Sequence, residues 1–195
     1  MKLLLDILQG MGVASATGLR PFLPALVTGA LALGDVGVDF DGTAFSFLES
    51  PIWLIVLVVA LVASVLLRPR LDEGPGEAAL GGIGIALGAL LCAATIDDRH
   101  DTWWYGLLIG AALAYLASLV TRSLFARVRS RFASAGDREA AAALPLYAEA
   151  AGLVVAALSV LVPPLAILAV GFLLALLVTG RRRAGQKYAG LRILR

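Results

Sequence analysis

Two charged side chains lie well inside apolar stretches of the sequence, and their chemistry suits electrostatic pairing or the recognition of an anion. Arg20 belongs to the run GLRPFLP at residues 18–24, and Glu149 belongs to the run AEAAGLVV at residues 148–155. An unpaired charge at the centre of a bilayer costs about 2.5–3.5 kcal/mol on insertion scales. Both residues lie roughly 15 Å from the start of their apolar segments, at 1.5 Å per helical residue. We therefore expect Arg20 and Glu149 to form an ion pair inside the molecule.

The prolines beside Arg20 predict a break in the helix that carries it. Pro21 and Pro24 have no backbone N–H, so the carbonyl groups of Thr17 and Arg20 lose their helical partners. Gly18 gives the backbone further freedom. Transporters use broken helices to bind substrates or ions. The predicted binding site consists of Thr17, Gly18, Arg20, Pro21, Pro24 and Glu149.

The composition indicates a helical membrane protein. Of the 195 residues, 60% are hydrophobic and 15% are charged, and the mean hydropathy is +0.91. Soluble domains carry about 25% charged residues, whereas an apolar run of about 20 residues can cross a bilayer. Spans are predicted at residues 10–33, 51–67, 78–96, 102–124, 140–162 and 164–180. Residues 1–180 thus form one predicted all-α, polytopic transmembrane bundle, and residues 181–195 form a basic cytoplasmic tail.

The distribution of charge predicts how the spans are oriented. With a cytoplasmic N-terminus, every lysine and arginine except Arg20 and Arg99 falls on the cytoplasmic side, as the positive-inside rule requires. The opposite loops are acidic, and all three tryptophans lie at the outer edges of their spans. We expect six spans in the cell inner membrane, with both termini cytoplasmic and the first span broken at residues 18–24.

Small residues recur at intervals of four and predict close contacts between helices, because such stripes let two backbones approach each other. The stripes are Gly10, Ala14 and Gly18; Gly84 and Gly88; and Gly106, Gly110, Ala114 and Ser118. Packing within one bundle is the expected role, and a homo-oligomer interface is the alternative. Glu77 and Glu149 each precede two alanines, which fits three related hairpins as well as a three-plus-three inverted repeat.

No other chemistry is indicated. Residues 97–101, DDRHD, contain the single histidine, but neighbouring residues of a short loop rarely converge on one ion, so we expect a solvated loop and no metal. Hydrolase and phosphate-loop motifs are missing from the sequence. We therefore expect neither an enzyme nor a cofactor. Because the basic residues follow the topology, the expected partners are the bilayer and its anionic lipids, and not nucleic acid.

Several short motifs extend over most of the chain. They are GLRPFLP at residues 18–24, the Gly-rich part of the third span running into Ala89-Leu90-Leu91, the pattern Trp104/Gly106/Gly110, the pair Ala148-Glu149, and KYAGLRILR at residues 187–195. In these motifs the chain resembles the bacterial membrane proteins grouped as domain-of-unknown-function family 4126. The resemblance implies a membrane protein, and it implies no particular activity.

Two functions are compatible with these features. The first is a small transporter or channel for an ion, a small solute or a lipid head group. In that role Arg20 attracts an anionic group, Glu149 balances or relays charge, and the backbone near Thr17 coordinates the ligand. The alternative is a non-transporting scaffold or accessory subunit, in which the ion pair only fixes the packing. A water-accessible cavity at Arg20 favours the transporter, whereas a dry, sealed pair favours the scaffold.

Overall fold

The computed structural model of the chain describes residues 2–67, 71, 74–97, 103–135 and 138–189. Within these ranges the chain forms α-helices, the 3₁₀ turn Ser46–Glu49 and no strand. The helices are α1 (Lys2–Leu19), α2 (Phe22–Leu33), α3 (Pro51–Leu66), α4 (Gly74–Asp97), α5 (Trp103–Ala135), α6 (Arg138–Leu161) and α7 (Leu165–Ala189). The predicted all-α class is confirmed for these residues.

Three of the helices are long and apolar enough to cross a membrane. They contain the stretches Pro75–Asp97, Trp103–Val128 and Ala143–Leu161. Large apolar side chains also cover the outside of α3 and α7, where Ile52 is 77% exposed and Leu168 is 68% exposed. Soluble proteins rarely expose apolar patches larger than a few hundred Å². Such a described surface, together with three long apolar helices, is typical of a membrane protein.

Contacts with α6 define the direction of α1. A Cβ atom at Gly152 would lie 3.4 Å from the carbonyl oxygen of Ala16. About two turns further along α6, the carbonyl oxygen of Val160 accepts a hydrogen bond from Gln9 Nε2 at 3.1 Å. Residue numbers on α1 therefore fall as those on α6 rise, and the two helices are antiparallel.

Helix α2 runs in the opposite direction to α1 beside the same helix. The Cβ position at Gly152 lies 3.0 Å from Pro24 Cγ, in the first turn of α2. At the other end, Gln9 Nε2 also donates to the carbonyl oxygen of Gly37, just beyond α2, at 2.9 Å. Helices α1 and α2 thus form an antiparallel hairpin with Arg20 and Pro21 at its tip. This corrects the prediction of one broken span over residues 10–33.

The reversal has a local cause that hydropathy alone does not reveal. The apolar run at residues 10–33 is long enough for one span. The 12 residues of α2, however, cover only about 18 Å of a hydrocarbon core that is about 30 Å thick. Pro21 precedes α2 with φ −74° and ψ −45°, and it has no N–H with which to continue α1. Pro24 lies in the first turn of α2, where a missing N–H is tolerated. The chain therefore breaks at one point within residues 18–24.

The bundle has two chemically different ends. The loop end comprises residues 34–50, Asp97 and residues 161–165. The arginine end comprises Arg20, Glu77 and Arg122. At the loop end, the backbone N–H of Ala44 donates to Asp97 Oδ2 at 3.3 Å, and the rings of Phe45 and Trp103 meet edge to face. At the arginine end, all three residues border one cavity.

The start of α1 and the end of α7 lie at opposite ends of the bundle. Gly12 of α1 packs against Ser159 and against Ala166, the second residue of α7, so α7 begins at the loop end. Ten residues further on, Leu176 borders the same cavity as Leu144, which lies near the start of α6. The α1–α2 hairpin adds a reversal of the chain, so the described helices do not confirm the prediction that both termini share one side.

Helices α1, α4 and α5 approach each other closely at their glycines. A Cβ atom at Gly84 would lie 2.7 Å from the carbonyl oxygen of Thr17, and one at Gly88 would lie 2.7 Å from Ala114 Cβ. A Cβ atom at Gly110 would lie 2.7 Å from that of Cys92. The small-residue stripes thus meet within one chain, which confirms their expected packing role.

A serine and a pair of prolines lie at helix ends. Ser50 Oγ accepts a hydrogen bond from the backbone N–H of Trp53 at 3.3 Å, which caps the start of α3. Between α6 and α7 the chain turns at Pro163 and Pro164. In three helix pairs, the first helix runs away from the arginine end and the second runs back to it. These pairs are α2–α3, α4–α5 and α6–α7, and their arrangement fits three related hairpins.

The described part of the chain covers only some of the predicted polar segments. Helix α7 continues to Ala189, so the beginning of the predicted basic tail extends this helix. Residues 190–195 lie outside the described residues. The same holds for the predicted loop at 97–101 beyond Asp97.

Replacing Gly88 by alanine is expected to lower the stability of the bundle. The new Cβ would lie 2.6 Å from Thr17 Oγ1 and 2.7 Å from Ala114 Cβ, and overpacking of this kind costs about 1–3 kcal/mol. Cys92, the single cysteine, is fully buried. Its reaction with a thiol-reactive fluorophore during heating therefore reports unfolding. The Gly88→Ala variant should react at a lower temperature than the unmodified chain.

Gly82 provides a matched control on the same helix. A Cβ atom there meets nothing within 4 Å, and alanine is favoured over glycine inside a helix. The Gly82→Ala variant should therefore unfold at or above the temperature of the unmodified chain. Equal unfolding temperatures for the Gly82 and Gly88 variants would contradict the close packing of α1, α4 and α5.

Candidate functional site

The tip of the α1–α2 hairpin borders a small, half-open cavity at the arginine end. Its volume is about 50 Å³, which is room for about two ordered waters. The lining comes from α1, the tip, α4 and α5. It consists of Thr17, Gly18, Leu19, Arg20, Pro21, Glu77, Leu80, Gly81, Ser118, Thr121, Arg122 and Phe125. We call this space the Arg20 cavity.

Arg20 is placed by the end of α1 and by an aromatic ring of α5. Its backbone N–H still donates to the carbonyl oxygen of Ala16 at 3.3 Å, so α1 is regular up to this residue. The guanidinium carbon lies 5.6 Å from the ring centroid of Phe125. A cation over a ring face at this distance is held by the ring quadrupole. The guanidinium of Arg20 is thereby held at the edge of the cavity.

Arg122 brings a second guanidinium to the same cavity. Its Nε lies 3.9 Å from Glu77 Oε1, and its Nη2 donates to the carbonyl oxygen of Glu77 at 3.2 Å. The guanidinium crosses α4 directly over Gly81, where any Cβ atom would collide with it. Gly81 thus provides the space in which Arg122 binds the first turn of α4.

The described lining of the Arg20 cavity carries charged side chains of both signs. Its lining contains two guanidinium groups, from Arg20 and Arg122, and one carboxylate, from Glu77. The hydroxyl protons of Ser118 and Thr121 are used within α5, where they bond to carbonyl oxygens at 2.8 Å. Arg20 and Arg122 are the basic side chains of this lining. Arginine binds carboxylate and phosphate oxygens through paired N–H groups.

Thr17 and Gly18 line the cavity, but their backbones serve packing. The Thr17 hydroxyl donates to the carbonyl oxygen of Ala14 at 2.9 Å, and its own carbonyl oxygen lies against Gly84. A Cβ atom at Gly18 would collide with the carbonyl oxygen of Ala114. Helix α4 packs against the Thr17 carbonyl oxygen at Gly84, and coordination of a ligand by the backbone near Thr17 stays a prediction. Gly18 permits close approach of two helices rather than flexibility.

The remaining predicted site residues lie in different places. Pro21 lines the cavity, whereas Pro24 is fully buried against Gly152 of α6. Glu149 is 8% exposed on α6, and its neighbour Ala148 borders a second cavity together with Leu19. The structure thus brings the segments that carry Arg20 and Glu149 together. Their ion pair stays a prediction.

Sequence reasoning did not assign a role to Arg122 or to buried polar residues of α1. Arg122 was counted among the cytoplasmic basic residues, although it lies inside a helix that runs on to Ala135. In α1, Asp6 is 4% exposed and Gln9 is 5% exposed. For Asp6 and Gln9, the available signal was a polar side chain that interrupts an apolar helix. For Arg122, the signal was Gly81 of α4, which makes room for its guanidinium. Only the structure shows that these two residues meet.

A second cluster of charges lies at the loop end. Carboxylate oxygens of Asp39, Asp41 and Glu49 lie within 4.8 Å of one another. Glu49 is 7% exposed, and its Oε2 accepts a hydrogen bond from the backbone N–H of Phe40 at 3.0 Å. Burial raises the pKa of Glu49 above its ordinary value of 4.5, and the two aspartates add to this increase against the opposing effect of the Phe40 hydrogen bond.

Comparison with known proteins identifies one family. The family described as Domain of unknown function (DUF4126) matches residues 7–183. The match covers the whole Arg20 cavity and Glu149, and it confirms the resemblance found in the sequence. No curated protein and no solved structure matches the chain.

Replacing Glu49 by glutamine is expected to remove a pH dependence from the folding stability. Because folding raises the pKa of Glu49, the folded chain binds more protons than the unfolded chain between the ordinary and the raised value. Stability therefore falls as the pH rises through this window. Glutamine keeps an acceptor for the Phe40 N–H without burying a charge. Thermal unfolding followed by circular dichroism, at mildly acidic and at neutral pH, should show a smaller difference for Glu49→Gln.

Asp35 of the same loop supplies the control, because its side chain is exposed. The Asp35→Asn variant should keep the pH difference of the unmodified chain. If the Glu49→Gln variant also kept this pH difference, the buried carboxylate of Glu49 would not be the source of the difference.

Charge reversal tests the predicted ion pair between Arg20 and Glu149. Each single change, Arg20→Glu or Glu149→Arg, should lower the temperature at which Cys92 becomes reactive, because it leaves two like charges in a buried region. The double variant restores one charge of each sign and should recover much of the lost stability. A double variant that is as unstable as the sum of the single changes would contradict the pair.

Proposed function

We propose a function for this chain, which belongs to the DUF4126 family of unknown function, from the geometry of the Arg20 cavity. The chain is a multi-pass protein of the cell inner membrane, a small transporter or channel, and it binds the anionic group of a small solute or of a lipid head group. Arg20 and Arg122 bind the anion, and Glu77 positions Arg122. Glu149 balances the charge of Arg20 from α6.

One observation carries this function. Two arginines that are far apart in the sequence line one half-open cavity, in which they outnumber the carboxylate of Glu77. Positive charge is expensive in hydrocarbon, and intramembrane charges usually mark ligand or ion pathways. An anionic group between Arg20 and Arg122 receives charge-assisted hydrogen bonds from the guanidinium groups.

The distribution of basic residues supports an orientation for the bundle. The part of α5 beyond Arg122, which includes Arg127, lies at the arginine end. The positive-inside rule places such a region in the cytoplasm. The described end of α7 then lies in the cytoplasm, whereas the start of α1 lies on the outer side. The Arg20 cavity opens at the level of the cytoplasmic leaflet.

The alternative function is a scaffold or accessory subunit without transport. It is favoured by the tight packing of α1 against α4, in which Gly84 covers the carbonyl oxygen of Thr17. The large exposed apolar surface of α3 suits a partner within the membrane as well as lipid. The two functions differ in whether water and anions reach Arg20.

A cysteine in the cavity wall tests the anion site. Ser118 lines the cavity and differs from cysteine in one atom, and the native Cys92 is buried and serves as the background. We expect Ser118→Cys to react with an anionic sulfonate methanethiosulfonate reagent faster than with a cationic trimethylammonium one. The rate of each reagent is divided by its rate with a free thiol in solution. The resulting ratio then reports the electrostatic field of the protein and not the intrinsic reactivity of the reagent. The measurement uses the full chain in bilayers.

Removal of one arginine identifies the source of the preference. In the Ser118→Cys background, Arg122→Gln should reduce the anion preference several-fold. Arg127→Gln should leave it unchanged, because Arg127 is exposed and does not line the cavity. A Ser118→Cys variant that reacts with neither reagent would show a sealed cavity. That result would overturn the anion site and favour the scaffold.

A further inference from the structure

A larger cavity lies beside the Arg20 cavity, between α5, α6 and α7. Its volume is about 290 Å³, near the lower end of the ~300–1,000 Å³ range of small-molecule sites. Polar side-chain atoms in its described wall come from Thr121 and Tyr147, and the other lining side chains are apolar. Apolar cavities stay free of ordered water. We call this space the apolar cavity, and its chemistry suits a hydrocarbon.

The two cavities adjoin each other. Leu19, Thr121 and Phe125 line both of them, so the end of α1 and one face of α5 form their common border. On one side of this border lie the guanidinium groups of Arg20 and Arg122, and on the other side lies an apolar wall. A ligand that fits both sides has an anionic group joined to an apolar chain.

The length of the apolar cavity matches one leaflet of a bilayer. On α6 its lining extends from Leu144, near the arginine end, to Val155. At 1.5 Å per residue this distance is about 16 Å. The hydrocarbon core of a bilayer is about 30 Å thick, so each leaflet contributes about half of it. An acyl chain whose head group lies at the arginine end therefore reaches the far end of the cavity.

The apolar cavity borders the lipid-facing surface. Tyr147 on α6 is 71% exposed and Phe172 on α7 is 65% exposed, and both belong to its wall. A chain can therefore enter sideways between α6 and α7 without crossing the core of the bundle. Tyr147 lies near the arginine end, where a tyrosine suits the boundary between head groups and hydrocarbon.

We propose that the protein binds one anionic phospholipid, with its phosphate between Arg20 and Arg122 and one acyl chain in the apolar cavity. This inference rests on the proposed anion site and names its ligand class. The guanidinium groups recognise the phosphate, and the apolar cavity selects a chain-bearing molecule over free phosphate. The two arginines favour a head group with net negative charge over a zwitterionic one, because the latter brings its own cation.

Photo-crosslinking in bilayer nanodiscs tests the proposal with the full chain. The probe is phosphatidylglycerol that carries a diazirine on one acyl chain, and phosphatidylcholine with the same chain is the comparison. The expected crosslinks map to residues of the apolar cavity on α6 and α7, and phosphatidylglycerol gives more of them. Arg122→Gln should remove this difference between the two lipids.

A cavity-filling variant and its matched control test the position of the chain. Ala169 lines the apolar cavity and is half-buried, whereas Ala175 of the same helix is exposed and lies outside the lining. Ala169→Phe should reduce the cavity crosslinks several-fold, and Ala175→Phe should leave them unchanged. The unfolding temperature reported by Cys92 verifies that both variants are folded.

The outcomes separate the lipid site from the anion site. Cavity crosslinks that persist in a folded Ala169→Phe variant, or crosslinks spread evenly over the outside of α3 and α7, would overturn the lipid site. If Ser118→Cys still preferred the anionic reagent in that case, the anion site would stand with a free anion as its ligand. If Ser118→Cys reacted with neither reagent, the anion site and the lipid site would both fall.

Discussion

The close approach of α1 to its neighbours is the constraint on which the rest of the structure depends. This helix contacts α4, α5, α6 and α7, and Val13, Ala14 and Thr17 are fully buried within it. Lipid tails are as apolar as leucine, so helices in a membrane associate through tight packing rather than through exclusion of water. Gly18 and Gly88 remove the atoms that would keep the backbones apart. The tip of the hairpin is consequently held at a fixed depth beside α4 and α5.

Much of the helical architecture could be predicted because it depends on local sequence. Hydropathy located the long apolar helices, and the spans predicted at 51–67 and 164–180 begin within one residue of α3 and α7. The reversal at Arg20 could not be predicted in the same way. A run of 24 apolar residues satisfies one span, and a proline predicts that a helix breaks but not the direction in which the chain continues. Direction depends on which surfaces of α6 receive α1 and α2, and these contacts are distant in sequence.

The candidate site was predictable only in part, for a related reason. Arg20 stood out because a charge in an apolar run has to be compensated within its own surroundings. Arg122 did not stand out, because basic residues near the end of a span are expected from topology alone. Its role follows from Gly81 on another helix, which makes room for its guanidinium. A glycine among many others in α4 gives no sign of this in the sequence.

At the loop end, a single amide side chain ties three parts of the chain to each other. Gln9 Nε2 donates to the carbonyl oxygens of Gly37 and Val160, so both of its hydrogens are committed. The corner after α6 cannot move relative to the loop after α2 unless one of these two hydrogen bonds breaks. Gln9 therefore fixes the register of α1 against the loop after α2 and against the corner after α6.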